Sequence, residues 1–319
     1  MTQPLRVAVT GAGGFIGRAV VKAARERGHT VVAVVRSAPE HSVYPEGVEI
    51  RAVGDLAGGA AQEQAVERCD AVIHLAGRVR IPKPDRARAA EILRQSNAVM
   101  AAGLADAAAR AGCRRFVFAS SFSVYGAATA EGAILTEDSP LAPVSAYGAS
   151  KRDAEAVLSE VAARTGLSLI VLRPPAVFGP GAASPFALLV NAVRLGLPLP
   201  LAMVKNSRSF IYVDNLADAF VAAAESEACG AFVVTDSAPV SSAGMVTQIA
   251  QAMSRRSSLV PMPVGLMRAA ARTIGAGAVA DSLLGSMAAD GSRFMRATGW
   301  TPRVPVEEAL ARTVRASQR

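Results

Sequence analysis

Thr10-Gly11-Ala12-Gly13-Gly14-Phe15-Ile16-Gly17 follows a β-rich run, Leu5-Arg6-Val7-Ala8-Val9, and opens an alanine-rich helical stretch, Gly17–Arg27. Glycine at four of these positions gives up backbone entropy that a mere connection has no need to lose. The use is geometric. Glycines permit a tight strand-to-helix turn and let backbone come close to a pyrophosphate. The helix start then offers free N–H groups and the positive end of its dipole to that anion. Glycines alone are a weak signal, but their place between a strand and a helix is a strong one. The stretch predicts a bound dinucleotide lined by Gly11, Gly13, Gly14, Phe15, Ile16 and Gly17.

Outward from this turn, short apolar runs alternate with helical stretches. Strands are expected at Leu5–Thr10, Thr30–Val35, Val48–Val53, Ala71–Leu75, Arg115–Ser120 and Ser168–Leu172. They are rich in Val, Ile and Phe on both faces, as strands of a parallel sheet covered on both sides are. Helices are expected at Gly17–Arg27, Gln62–Arg68, Ala87–Ala111 and Tyr147–Thr165. This order predicts an α/β fold, a Rossmann-type doubly wound parallel sheet. After Leu172 the rhythm breaks at Arg173-Pro174-Pro175 and Gly179-Pro180-Gly181, which is turn chemistry. Helices then dominate, at Pro185–Leu195, Asn215–Ser226, Ser242–Met253, Val264–Ile274 and Val306–Ala316, with one strand at Ala231–Thr235. The expected organisation is a nucleotide-binding domain over 1–172 and a smaller, mostly helical substrate domain over 173–319. The chain is expected to return to the first domain around 210–236.

Half of the 319 residues are hydrophobic (51%), enough for a sizeable core. No apolar run reaches the roughly 18–20 residues of a membrane helix. No basic-then-apolar leader precedes the first strand, so a cytoplasmic protein is expected. Cys69, Cys113 and Cys229 are widely spaced, which fits a reducing compartment. Neither they nor His29, His41 and His74 have metal-ligand spacing, so no metal is expected. The net charge of +8 raises nucleic-acid binding. However, the arginines read as scattered, many beside acids on helical faces, without a basic tail or interleaved aromatics. The expectation is a small-molecule substrate, with no nucleic acid and no membrane as partner.

The end of the second strand chooses between cofactors. An acid there bonds the ribose 2′-OH of NAD, and an arginine can meet the 2′-phosphate of NADP. Here it reads Val34-Val35-Arg36-Ser37, and Arg18 follows the glycine turn, so NADP is favoured over NAD. Asp55 and Leu56, after the third strand, are placed to meet the adenine; Asp55 reads equally well as a turn residue.

Ser145-Ala146-Tyr147-Gly148-Ala149-Ser150-Lys151 carries the chemistry. Positions i and i+4 of a helix share a face, so Tyr147 and Lys151 point the same way. A phenol titrates near 10, too high for a base at neutral pH. A neighbouring ammonium and an oxidised nicotinamide would favour the phenolate. Tyr147 could then exchange a proton with an alcohol or ketone while hydride moves to or from the nicotinamide. Ser120-Ser121-Phe122-Ser123-Val124-Tyr125-Gly126 ends the fifth strand, where ligands of such sheets sit. Ser121 is the candidate for the hydroxyl on the reacting oxygen. Ser123 is a substrate contact or a local backbone partner. Asn97, on the long helix before this strand, either holds the active-site backbone or a water, or faces solvent.

Together these stretches resemble the extended short-chain dehydrogenase/reductase family, and within it the NAD-dependent epimerase/dehydratase group typified by UDP-glucose 4-epimerase. The matching stretches are 10–17, His74-Leu75-Ala76-Gly77, Ser120 to Gly126, Tyr147-xxx-Lys151, Arg173-Pro174-Pro175 to Pro180, Arg208-Ser209-Phe210-Ile211-Tyr212-Val213-Asp214-Asn215, and Gly299-Trp300-Thr301-Pro302. The resemblance implies a catalytic set of Ser121, Tyr147 and Lys151, with Tyr147 and Lys151 also contacting the cofactor. It adds Leu75, Ala76, Gly77 and Pro174 to the cofactor site. It implies that Arg208, with Asp214, serves the substrate, its guanidinium fork gripping a nucleotide-sugar diphosphate. It also implies a homodimer built on the helices around 90–111 and 147–165. The Asp-Glu pair of the group's dehydratases is replaced by Phe122-Ser123, which rejects a dehydratase. An arginine that many relatives carry before Ala289-Asp290-Gly291-Ser292-Arg293 is also missing. Arg293 and Arg272 are the candidates to replace it.

The resulting expectation is an NAD(P)-dependent 4-epimerase or 4-keto reductase of a UDP-hexose in surface-polysaccharide synthesis. The alternatives are an NADPH-dependent reductase of a non-nucleotide carbonyl and a non-catalytic NADP-sensing regulator.

Overall fold

The computed structural model describes residues 3–39, 43–79, 81–182, 185–273, 275 and 277–317. His41 and the terminal Ile274 of one expected helix lie outside the described residues. Eleven strands are described: β1 (Arg6–Thr10), β2 (Thr30–Val35), β3 (Glu49–Ala52), β4 (Ala71–His74), β5 (Arg115–Ala119), β6 (Ile134–Leu135), β7 (Ser168–Arg173), β8 (Ala176–Phe178), β9 (Phe210–Tyr212), β10 (Gly230–Val233) and β11 (Ala288–Ala289). The helices are α1 (Phe15–Glu26), α2 (Gly59–Val66), α3 (Ala89–Arg94), α4 (Met100–Arg110), α5 (Ala146–Thr165), α6 (Pro185–Arg194), α7 (Val213–Glu225), α8 (Ser242–Ala252), α9 (Val264–Thr273), α10 (Gly277–Leu284), α11 (Ser292–Thr298) and α12 (Val306–Ala316).

Seven strands form one parallel sheet in the order β10-β7-β5-β4-β1-β2-β3. Side chains alternate between its faces, and both faces are apolar. Val7, Val9, Val31, Ala33, Ile73, Val117, Ile170 and Leu172 pack against α1 and α7. Their neighbours Ala8, Val32, Val34, Val72, Phe116, Phe118, Leu169 and Val171 pack against α2, α4 and α5. This is why these strands read as continuous apolar runs rather than alternating ones. The order reverses between β1 and β4, whose ends pair Thr10 with His74. A doubly wound sheet opens its ligand crevice at that reversal.

α5 is started by Ser145, whose Oγ accepts from Gly148 N at 3.0 Å, and it stops at Gly166, where φ is 76°. The helix expected over Ala87–Ala111 is not uniform. It begins as a 3₁₀ turn over Lys83–Arg88, and a π turn, Gln95–Val99, separates α3 from α4. C-terminal segments build a second apolar cluster from Phe178, Phe186, Leu189, Met245, Ile249 and Leu310. α10, α11 and the two-stranded pairs β8–β9 and β6–β11 were not expected from the sequence. They are too short to carry a clear period.

Candidate active site

The glycine turn fits a dinucleotide. A Cβ on Gly17 would stand 2.1 Å from Gly11 O, and one on Gly11, whose φ is +69°, would lie 2.8 Å from Ala76 N. Gly13 and Gly14 are exposed, and a Cβ on Gly13 would meet only Tyr44 Oη, at 3.9 Å. α1 begins with no side-chain cap and no acid in its first turn, so its leading N–H groups stay available to an anion. Phe15 and Ile16 are half-buried at this start. Leu75, Ala76 and Gly77 run alongside, tied by Leu75 N to Thr10 O at 3.2 Å. Arg36 is exposed at the end of β2, and its carbonyl accepts from Gly54 N at 3.1 Å. Exposed Asp55 bonds its own turn, Oδ1 accepting from Ala57 N at 3.2 Å, while Leu56 is buried beneath it.

The three candidate catalytic residues converge at the carboxyl end of β5. The Ser121 hydroxyl stands close enough to the Tyr147 phenol to pull its pKa down. Lys151 is buried, its Nζ 6.0 Å from the Tyr147 ring centroid and donating to Ala119 O at 2.8 Å. A Cβ on Gly77 would lie 3.6 Å from Lys151 Nζ, so the loop beyond β4 borders the ammonium. Ser123 is drawn in twice. Its Oγ accepts from Ser121 Oγ at 3.2 Å, and its carbonyl packs so tightly on Gly148 that a Cβ there would stand 2.2 Å away. Buried Pro174 accepts from Phe122 N at 3.0 Å and closes this loop from below.

Asn97 is fully buried. Its Nδ2 donates to Ser150 Oγ and to Arg78 O, both at 2.9 Å, and its Oδ1 accepts from Arg78 N at 2.7 Å. It thus ties the Gly77–Arg78 loop to the residue before Lys151, and the π turn is what aims it. Of its two expected settings, the structure takes the backbone-holding one.

Two opposed effects act on the phenol. Burial pushes the Tyr147 phenol up, and the neighbouring Ser121 hydroxyl pulls it back. Burial also drops the Lys151 ammonium to about 8, opposed by Glu155 one turn along α5. The ammonium donates to the Ala119 carbonyl and lies 4.5 Å over the Phe118 ring. Behind it, His74 is fully buried, and burial and the Lys151 charge lower it to about 3.

The NAD dependent epimerase/dehydratase family profile matches residues 7–234. The chain belongs to that family, and so to the NAD(P)-dependent short-chain dehydrogenase enzymes. A UDP-glucose 4-epimerase from Vibrio cholerae is 29% identical over 98% of this chain and 96% of its own. A 3-diazoavenalumate denitrifying reductase from a Streptomyces species is 34% identical over 94% and 97%. A crystal structure of the Thermus thermophilus UDP-glucose 4-epimerase complex with NAD superposes with a TM-score of 0.77, at 26% identity over 98% of this chain and 99% of its own.

In this epimerase/dehydratase enzyme the substrate candidates separate. Arg208 is buried, with Nη1 donating to Gly285 O at 2.9 Å and no ion pair among the described residues; burial lowers its pKa. A buried guanidinium without a carboxylate suits an incoming anion. Asp214 stands elsewhere, 3.7 Å from Arg312 in a cavity of about 230 Å³ between α1, α7 and α12. Its neighbours are Lys22, Asp218 and Arg303, not Tyr147 or Ser121. Of the two candidates for the missing arginine, Arg293 pairs with Asp138 at 3.2 Å and Arg272 is exposed on α9. The buried pair of Glu155 and Arg173 was not anticipated. Glu155 takes Arg173 Nη2 at 2.6 Å and also bonds Ser120 Oγ, while Arg173 Nη1 donates to Tyr125 Oη at 2.8 Å. Its only sequence trace is the i+4 step from Lys151 to Glu155.

Proposed function

We propose that this enzyme exchanges hydride and a proton at C4 of a nucleotide sugar, as a UDP-hexose 4-epimerase or 4-keto reductase. One observation carries the reading: the Ser121 hydroxyl stands at the Tyr147 phenol beside buried Lys151, at the carboxyl end of a sheet whose reversal point holds the glycine turn. A bound nicotinamide would supply the hydride site. Ser121 holds the sugar oxygen, Tyr147 gives or takes its proton, and Lys151 grips the nicotinamide ribose. Asn97 fixes the loop that borders that grip. Arg208 receives the diphosphate, and the relatives named for UDP-glucose support that substrate class.

Cofactor choice follows the end of β2, where an exposed arginine and no acid favours NADP. A relative named as a reductase supports a single transfer, and those named as UDP-glucose 4-epimerases support epimerisation. Turnover of UDP-glucose, UDP-galactose and their 4-keto forms with each cofactor tests the reading. Tyr147→Phe should cut turnover by about 10²–10⁴ while leaving dinucleotide binding intact. Full activity in that variant would sink the proposal. Retention of NAD through gel filtration would favour the epimerase, and a melting point raised by NADPH on cofactor-free protein the reductase.

A further inference from the structure

Acidic residues are missing from two long stretches, between Glu160 and Asp214 and between Asp236 and Asp281. The expectation of scattered arginines fails there. The second stretch carries Arg255, Arg256, Arg268 and Arg272, all exposed, and the first carries exposed Arg194 and Lys205. The two stretches are zipped together. Leu199 N donates to Ser258 O at 2.8 Å, Val260 N to Leu199 O at 2.9 Å, and Arg255 Nη1 to Arg194 O at 2.5 Å.

Exposed apolar side chains lie in these same two stretches. Leu188, Leu195, Leu197, Met203, Val260 and Leu266 are half of the large apolar residues described as exposed, with Leu195 at 66% and Leu266 at 59%. Single exposed leucines need no explanation, but a concentration of them marks a contact face. α9 lies on the outside of the lobe. It buries Met267 and turns Leu266, Arg268, Ala269, Ala270 and Arg272 outward.

We infer that this face of the C-terminal lobe docks on the surface of a bilayer containing anionic phospholipid. Leucines beside arginines, in stretches that themselves carry no acid, are what interfacial docking needs. No helix among the described residues is long and apolar enough to cross a membrane, so the contact is peripheral. A second copy fits poorly, because like-charged arginines would meet. A nucleic acid fits poorly too, since neither 187–205 nor 254–273 contains an aromatic residue for base stacking. The inference departs from the expectation of no membrane partner and does not depend on the substrate.

The test is co-sedimentation of the full chain with vesicles of phosphatidylcholine alone and of equal parts phosphatidylglycerol and phosphatidylcholine. Binding is expected only to the mixed vesicles, and it should weaken as salt rises. Arg268→Glu/Arg272→Glu and Leu195→Glu/Leu266→Glu should each weaken binding by roughly tenfold or more, with unchanged melting points. All four positions are exposed, so folding should survive. Failure of the folded wild type to bind mixed vesicles, or equal binding by both variants, overturns the inference. So does a dimer in sedimentation that only Leu195→Glu/Leu266→Glu dissociates, which would give the face to a second copy.

Discussion

Arg173 meets Glu155 through two nitrogens, Nη2 to Oε2 at 2.6 Å and Nε to Oε1 at 3.1 Å, in the interior one turn beyond Lys151. The pair joins the end of β7 to the middle of α5, and Ser120 and Tyr125 complete its hydrogen bonds. It therefore fixes the helix that carries Tyr147 against the strand end that carries Ser121.

Glu155→Gln leaves the Arg173 cation buried without its counter-charge. Breaking one side of such a pair costs about 3–5 kcal/mol. The same change removes the charge that holds the Lys151 ammonium up, so its pKa should fall further below about 8. Denaturation should show the loss of stability. The alkaline limb of the pH–rate profile should move towards lower pH. A profile that stays in place while stability falls would leave the pair a structural role only.

Lys151 makes a separate prediction about pH. Its ammonium titrates at about 8 in the fold against 10.5 when free. Between these values the unfolded chain holds more protons than the folded one, so the wild type should gain stability as pH rises through this window. The gain is about 3 kcal/mol in all. Below the window the full penalty of a buried charge is present. Lys151→Met should therefore be the more stable protein at about pH 7 and lose that advantage by about pH 10. Denaturant titrations at both values check this, and parallel stability changes in the two proteins would refute it.

How far the sequence foretold these relationships depends on their range. The glycine turn and the six strands expected over residues 5–172 lie within a residue or so of their positions in the fold, because, the exposed edge strand β3 apart, both faces of the sheet are apolar and each strand is a continuous run. Tyr147 and Lys151 were legible because four residues on a helix fix a shared face. Ser121 was legible because strand ends gather at one edge. Glu155 and Arg173 lie on different elements, and nothing local marks two charged residues as a buried pair. The phenol's raised pKa was equally hidden. The direction in which Lys151 Nζ points, towards Ala119 O, is decided by packing and not by spacing. Asp214 misled for the opposite reason: it sits in a matching stretch, yet that stretch bends away so that Arg208 is buried near Gly285 while Asp214 faces Arg312.

Asn97→Ala would strip three partners at once: Ser150 Oγ, Arg78 N and Arg78 O. Each buried polar group left unsatisfied costs about 1–3 kcal/mol, and the Arg78 groups are near enough to the surface for water to relieve part of this. A net loss of about 2 kcal/mol is expected. Because the same side chain holds the loop beside Lys151, dinucleotide affinity should fall as well. Calorimetric titration with NAD(H) and NADP(H) separates the two effects. Unchanged affinity at lowered stability would confine Asn97 to scaffolding.

Arg208 offers the sharpest separation of stability from binding. Its guanidinium is buried with a carbonyl and, among the described residues, no carboxylate to meet it, and burial already lowers its pKa. Methionine has a similar length and no charge, so Arg208→Met removes a desolvation cost and should hold or raise the melting point of the free protein. An anion arriving at this site would lose its partner in the same variant. In the wild type, UDP at about a hundredfold excess over Kd should add about 3 kcal/mol of stability. In Arg208→Met that increment should shrink to a small fraction, while stabilisation by NAD(H) or NADP(H) persists. If UDP stabilises both proteins equally, Arg208 is not the diphosphate contact. If UDP stabilises neither, the substrate is a carbonyl compound without a nucleotide, and the buried guanidinium answers some other anion.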